Sequence, residues 1–239
     1  MAKILLLDIE NTPSLAYVWK FWQENISSKQ VKEHAQILSV AWKWLGEDDV
    51  FYVESRRGND KKIIKAVHAV LEEADIVVAH NAKKHDLPII NARSLIHGYG
   101  PPSPYKIVDT LLEARKTFKF GQNSLEYLAD YLGCTPKMQG RKFPGFELWK
   151  ECLLGNPEAW AEMREYNIQD VLTLEEVYLK LRPWMTRHPN VAIYNEGAET
   201  VCDKCGSTHV QFRGYYKTNV SKFKRFRCND CGSWGRLVS

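Results

Sequence analysis

Asp8, Glu10, Asp86 and Asp170 are four carboxylates, each set in a short recognisable frame. Asp8 and Glu10 end the apolar run Ile4-Leu5-Leu6-Leu7-Asp8-Ile9-Glu10. Asp86 closes His80-Asn81-Ala82-Lys83-Lys84-His85-Asp86, and Asp170 closes Tyr166-Asn167-Ile168-Gln169-Asp170. A fold that gathered them would set them repelling. Two unit charges about 4 Å apart cost roughly 4 kcal/mol at an effective dielectric near 20. Hard cations relieve such a cluster, and oxygen donors select Mg²⁺ or Mn²⁺. Two such ions side by side are a recurrent means of cutting phosphodiesters.

Spacing says how the groups would meet. Residues i and i+2 of a strand face the same way, so Asp8 and Glu10 would project together from the end of a first strand. Residues i and i+4 of a helix are neighbours, so Tyr166 and Asp170 would share a face. Singly, each frame has a plain structural reading. Asp-x-Glu can be a solvated strand end, Tyr-x-x-x-Asp an ordinary helix surface, and Asp86 the cap of the helix after it. Their joint occurrence, in this order, carries the site hypothesis.

The elements that must position these groups follow from periodicity. Residues 3–8, 36–44, 50–53, 76–79 and 107–108 read as strands, with a segment near 15–22 pairing beside them in an antiparallel meander. Ile76-Val77-Val78-Ala79 is a continuous apolar run typical of a central parallel strand. Helices are expected near 60–73, 87–97, 109–117, 124–131 and 157–182, the last ending before Pro183. Residues 133–148, rich in Gly and Pro, read as a loop carrying Lys137, Arg141 and Lys142. That loop would either clamp a substrate phosphate or lie solvated. Trp19, Trp22, Trp42 and Trp44 are expected to pack on strands, and Cys134 and Cys152 to be small core residues.

In these frames the chain resembles the DEDD (DnaQ-like) 3′→5′ exonuclease superfamily, over about residues 3–183. Asp8-Ile9-Glu10 is similar to its first motif, Asn81 through Asp86 to its second, and Tyr166-x-x-x-Asp170 to its third in the tyrosine (DEDDy) variant. Asn123-Ser124-Leu125-Glu126-Tyr127-Leu128-Ala129 is similar to a segment these enzymes carry between motifs two and three. His85 departs from the pattern, standing where the family usually has Phe. The resemblance implies an RNase H-like α/β fold: a mixed five-stranded sheet flanked by helices. It also implies that Asp8, Glu10, Asp86 and Asp170 hold two Mg²⁺ or Mn²⁺ ions, with Tyr166 orienting the attacking water. A phenol, whose ordinary pKa is near 10, suits that role better than deprotonating water. Release of mononucleotides from a 3′ end likewise follows from the family.

A second constellation lies in the last forty residues. Cys202-x-x-Cys205 is followed after 22 residues by Cys228-x-x-Cys231, both pairs running on into glycine, Gly206 and Gly232. Two such knuckles read as a Cys₄ site for one structural Zn²⁺ in a small β-rich ribbon. Two disulfides are the alternative, and nothing suggests the secretion they would need. Residues 201–239 hold eight Lys or Arg against two acids, so +6 in a chain of net +4. The basic character belongs to this tail and suggests a polyanion. Lys222, Lys224, Arg225 and Arg227, interleaved with Phe223 and Phe226, are candidates for nucleic-acid contact, as are Asn81, Lys137, Arg141 and Lys142. The alternation is not a clean binding face, so some of these rings are expected to form the ribbon's core.

The 239 residues, 44% hydrophobic, thus divide into an expected RNase H-like domain (1–185), a linker (186–200) and a zinc ribbon (201–239). No apolar stretch approaches the roughly 20 residues of a membrane span. Asp8 interrupts the first apolar run, so a signal peptide is not expected. A cytoplasmic protein of a bacterium or a phage-infected host is the expectation. The leading expectation for function is a two-metal 3′→5′ exonuclease on nucleic acid, DNA favoured over RNA, with the ribbon assisting. A structure-specific endonuclease on the same fold and a non-catalytic binding module are the alternatives. Four converging carboxylates argue against the last.

Overall fold

A computed structural model describes residues 1–22, 25–56, 58–135, 141–197 and 200–237. Its centre is a mixed five-stranded sheet in the order β5-β4-β1-β6-β7, the expected RNase H-like arrangement. The strands are β1 (Ile4–Asn11), β4 (Ile37–Trp44), β5 (Val50–Glu54), β6 (Ile76–Ala79) and β7 (Lys106–Asp109). β1 runs antiparallel to β4 and parallel to β6, and β6 parallel to β7. The strands that carry Asp8/Glu10 and lead to Asp86 therefore lie side by side, as read from the sequence.

The two faces of the sheet bury different halves of each strand. Leu5, Leu7 and Ile9 pack with Val77 and Ala79 against α1 (Lys61–Glu73) and α2 (Asp86–Ile96). Ile4 and Leu6 pack with Ile76 and Val78 against α3 (Thr110–Thr117), α4 (Leu125–Tyr131) and α6 (Pro157–Leu181). Period-2 alternation continues the second set from Ile4 and Leu6 to Asp8 and Glu10, so both carboxylates emerge on the α6 side.

α6 is built to meet them. Asn156 caps its first turn, its side chain accepting from the Glu158 amide at 3.0 Å, and Pro157 takes the first helical position. Val171, Leu174, Val177, Tyr178 and Leu181 form a buried stripe at helical spacing. One and two turns back from Leu174 lie Asp170 and Asn167, also buried, which puts polar groups against the end of β1. A buried ion pair between Lys43 on β4 and Glu175 fixes the helix to the sheet.

Four features differ from the sequence reading. β2 (Leu15–Ala16) pairs with β3 (Val31–Glu33) in a separate two-stranded sheet and does not extend the meander. Trp19 and Trp22 belong to the turn between these strands and are each 93% exposed, whereas Trp42 packs in the sheet as expected. The loop after α4 ends at Gly145, where φ is +58° and α5 (Phe146–Leu153) begins. The expected linker, 186–200, is also partly packed. Within it, Val191 joins the main core beside Met185, and its amide donates to the Asp203 carbonyl at 3.0 Å.

The C-terminal segment forms a three-stranded sheet of β8 (Val210–Lys217), β9 (Lys222–Cys228) and β10 (Trp234–Arg236). Its small core is Phe226 with Cys202, Cys228 and Val210. Gly235 opposite Phe226 has no room for a side chain, since an added Cβ would lie 2.2 Å from the ring. Among the described residues no helix is long and apolar enough to cross a membrane.

Candidate functional site

Asp8, Glu10 and Asp170 each bring a carboxylate oxygen into a group whose members lie within 4.8 Å of one another. These are hard oxygen donors at a separation one small divalent ion spans, so the set fits Mg²⁺ or Mn²⁺. Asp86 lines the same cavity but stands outside that trio, at the first residue of α2. It is nearly fully buried and accepts a hydrogen bond from the Ile9 amide. Burial raises its carboxyl above the usual range, against the opposing pull of His85. The second motif thus delivers its acid to the same cavity but outside the trio.

The turn that carries Asp86 is fixed by Asp109, a residue the sequence reading passed over. Asn81 adopts φ +72°, a left-handed conformation that asparagine tolerates better than most residues. The buried Asp109, at the end of β7, accepts from the amides of Asn81 (3.2 Å) and Lys83 (3.1 Å) and caps α3 through the Leu112 amide (3.1 Å). His80 is held between Thr110 Oγ1 and the Asn123 carbonyl, each at 2.9 Å. This ties the second motif to the segment preceding α4. His85 lines the cavity beside Asp86, with Nε2 3.4 Å from Asn11 Nδ2. Its Nδ1 is buried with no hydrogen-bond partner among the described residues.

Tyr166 completes the wall. Burial is the main cause raising its phenol well above 10, followed by the charges of Asp170, Glu10 and Asp8. The hydroxyl therefore stays protonated at neutral pH and acts as a hydrogen-bonding group. Its ring is clamped between two neighbours. Trp149 meets it edge-on at 5.9 Å, and the Arg141 guanidinium lies 4.2 Å from its centroid. Of the three loop cations, Arg141 is thus at the site, while Lys142 is engaged by Glu158 and Glu162 at the start of α6. Lys137 lies outside the described residues.

A further residue escaped the sequence reading. Asn167, fully buried on α6, donates from Nδ2 to Asp8 Oδ2 at 2.7 Å and accepts from Ser39 Oγ at 3.0 Å. Its only signal was a polar residue on the apolar stripe.

The cysteine group is equally compact. Cys202 and Cys231 sulfurs are 3.7 Å apart and those of Cys205 and Cys228 3.6 Å, and none is disulfide-bonded. Tetrahedral zinc with bonds of about 2.3 Å places its sulfurs about 3.8 Å apart, so the four thiols fit Zn²⁺. Both knuckles turn on a left-handed glycine, with the Gly206 amide donating to the Cys202 carbonyl and Gly232 to Cys228. Lys222, Lys224, Arg225 and Arg227 are exposed along β9. Lys222 stacks over Tyr215 at 4.0 Å and Arg225 over Trp234 at 4.9 Å.

Comparison with known proteins agrees with this architecture. Among solved structures, the family B DNA polymerase from the hyperthermophilic archaeon Pyrobaculum calidifontis is similar, with a TM-score of 0.51 at 15% identity. The match covers 77% of this chain and 26% of the polymerase chain, and at that identity it speaks for the fold alone. No curated protein matches. A model of the RNase_H superfamily matches residues 28–182, which takes in Asp86, Tyr166 and Asp170 and leaves β1 outside. That match spans well over half of the sequence, and the chain belongs to the RNase_H superfamily.

Proposed function

We propose that this protein is a metal-dependent 3′→5′ exonuclease of the tyrosine (DEDDy) type that hydrolyses phosphodiester bonds of nucleic acid. The observation that carries the reading is the convergence of Asp8, Glu10 and Asp170 within 4.8 Å, in one cavity with Tyr166 and Asp86. Membership of the RNase_H superfamily supports nuclease chemistry in general.

Two divalent ions, Mg²⁺ or Mn²⁺, would lower the pKa of a bound water and neutralise charge at the scissile phosphate. Asp8, Glu10 and Asp170 are the residues to hold them, with Asp86 contributing from beside the trio. The protonated Tyr166 offers its hydroxyl to orient the attacking water. Arg141, fixed against the Tyr166 ring, is placed to meet a phosphate oxygen. Asn81 lines the same cavity, where a terminal nucleotide would sit.

The same proposal divides the chain into a catalytic domain (1–185), a connector (186–200) and a zinc ribbon (201–239) bearing one structural Zn²⁺. Lys222, Lys224, Arg225 and Arg227 give the ribbon its affinity for the phosphate backbone, with DNA preferred to RNA. Incubation with 5′-labelled single- and double-stranded DNA and RNA, with and without Mg²⁺, tests the reading. A ladder of products shortened from the 3′ end, dependent on the ion, is the expected result. A single internal cut would instead identify an endonuclease, and binding without cleavage a non-catalytic module.

A further inference from the structure

The junction between the end of α6 and the ribbon encloses a cleft of about 490 Å³, a size that accommodates a nucleotide. One wall is the turn Pro183–Thr186, and the other is Tyr216, Arg225, Trp234 and Arg236 of the ribbon. Three rings in it are open to solvent: Trp184 at 63%, Trp234 at 50% and Tyr216 at 48%. The cations are not loose. Arg225 lies 4.9 Å over Trp234, and its Nε donates to the Arg213 carbonyl at 2.6 Å. Arg236 lies 4.9 Å over Tyr216 and 4.8 Å over Phe223. Each guanidinium is therefore held by a ring beside it, with little side-chain entropy left to lose on binding.

Asp203 adds a polarity to the cleft. Its Oδ1 is buried without a hydrogen-bond partner among the described residues, and its other oxygen is 3.8 Å from Lys204 Nζ. A carboxylate on the inner side repels phosphate and accepts N–H donors such as those on base edges. Arginines and rings on the walls do the opposite. The arrangement favours a base turned inward with its phosphates along the arginines.

We infer that this cleft is a second binding site, for an unpaired stretch of polynucleotide upstream of the end held at the carboxylates. The inference rests on the nucleic-acid reading above and names the form of its substrate. Charge selects the occupant, since the ribbon carries eight Lys or Arg against two acids. Exposed aromatics among the cations are the chemistry of single-strand binding, because only unpaired bases offer their faces for stacking. Duplex ends would meet the cleft with bases already stacked. The site also has a reach. Leu181 lies 11 residues beyond Asp170 on α6, roughly 17 Å at 1.5 Å per residue. That is about five nucleotides at the stacked rise of 3.4 Å each, and fewer for a more extended unpaired strand. Trimers held at the carboxylates fall short of the cleft, and dodecamers span it.

The test measures affinity of the full chain for labelled oligo-dT of 3, 6, 12 and 20 nucleotides, without added divalent ions. Affinity is expected to rise at least tenfold between the trimer and the dodecamer. A Trp184→Ala, Arg236→Gln double variant is expected to lose most of that increment. Trp184→Tyr, which keeps a ring and lies outside the zinc-bearing strands, should retain it. Zinc content of each variant guards against an unfolded ribbon, and Trp184→Ala alone serves if the double variant loses its metal. A wild-type affinity independent of length, or an increment surviving in the variant, overturns the cleft. Because binding is read without hydrolysis, the two ideas fail separately. Normal 3′ trimming with a flat length dependence removes the cleft only, while length-dependent binding with no trimming removes the exonuclease only.

Discussion

The Asn167 amide holds the Asp8 carboxylate, Nδ2 to Oδ2 at 2.7 Å, and Ser39 Oγ holds the Asn167 oxygen in turn at 3.0 Å. Ser39 sits on β4, beside the strand that carries Asp8, so the chain of bonds closes between sheet and helix across 128 residues. The donor is neutral. It fixes one oxygen of Asp8 without a positive charge that would compete with a metal ion for the carboxylate.

Asn167→Ala should therefore weaken divalent-ion binding and slow hydrolysis 10–100-fold, the usual cost of losing a group that orients a metal ligand. Raising Mn²⁺ should recover part of the rate. Asn167→Asp should do worse, because it sets another carboxylate against Asp8 in a buried space. Titrations of initial rate against metal concentration check both, and a rate for Asn167→Ala near wild type at low metal would remove Asn167 from this role.

Asp8→Asn or Asp170→Asn should reduce cleavage at least a hundredfold while sparing nucleic-acid binding. The same carboxylates crowd one another within 4.8 Å. Without divalent ions, Glu10→Gln should consequently raise the melting temperature by a few degrees, since roughly 1 kcal/mol of relieved repulsion moves Tm by about 2–4 °C at this size. Calorimetry with and without Mg²⁺ reads the effect, and a fall in Tm in the metal-free state would contradict it.

Some of this was legible in the chain and some was not, for physical reasons. Asp8 and Glu10 were readable because period-2 alternation survives from Ile4 to the strand's end. Asp170 was readable because its helix is long and its apolar stripe regular. Asn167 was hidden, since a buried polar residue on such a stripe gives no hint of its partner across 159 positions. Trp19 and Trp22 misled because aromatic composition resembles a strand, yet the chain around them turns. Met185 and Val191 were hidden by the polar residues between them, and only the packed core shows that both belong to it.

The cysteines make a separate prediction. Cys205 and Cys228 approach to 3.6 Å without a bond, a spacing that metal-free thiols have little reason to keep. Purified without chelator, the chain should hold one tightly bound Zn²⁺, and Cys228→Ser should lose it. Loss should open residues 201–237 to proteolysis, because the ribbon's core is little more than Phe226 and Val210 beside the thiols. The main domain should keep its thermal transition. Metal analysis and limited proteolysis together decide it, and a ribbon equally resistant in Cys228→Ser would argue that zinc is not what holds it.

Tyr178 and His188 give a pH dependence that belongs to folding and not to the carboxylates. Tyr178 OH and His188 Nε2 are 2.7 Å apart in the core, with His188 Nδ1 2.7 Å from the Pro189 carbonyl. Burial is the main force pushing the imidazole down to about 4. Lys204 and Arg182 push the same way, while the Pro189 carbonyl opposes them. The unfolded chain takes up a proton near 6.5, so between about 6.5 and 4 it binds more protons than the folded one. Stability must then fall as pH falls through that window, by up to roughly 3 kcal/mol at its lower end, and be fully present above it. His188→Gln removes the proton site while keeping an amide to meet Tyr178. It should be less stable than wild type at pH 7.5, where the native pair is intact, and should lose less on acidification. Urea unfolding at pH 7.5 and 5.0, followed by far-ultraviolet circular dichroism, compares the two slopes. Equal slopes in wild type and variant would show that His188 does not carry the acid sensitivity.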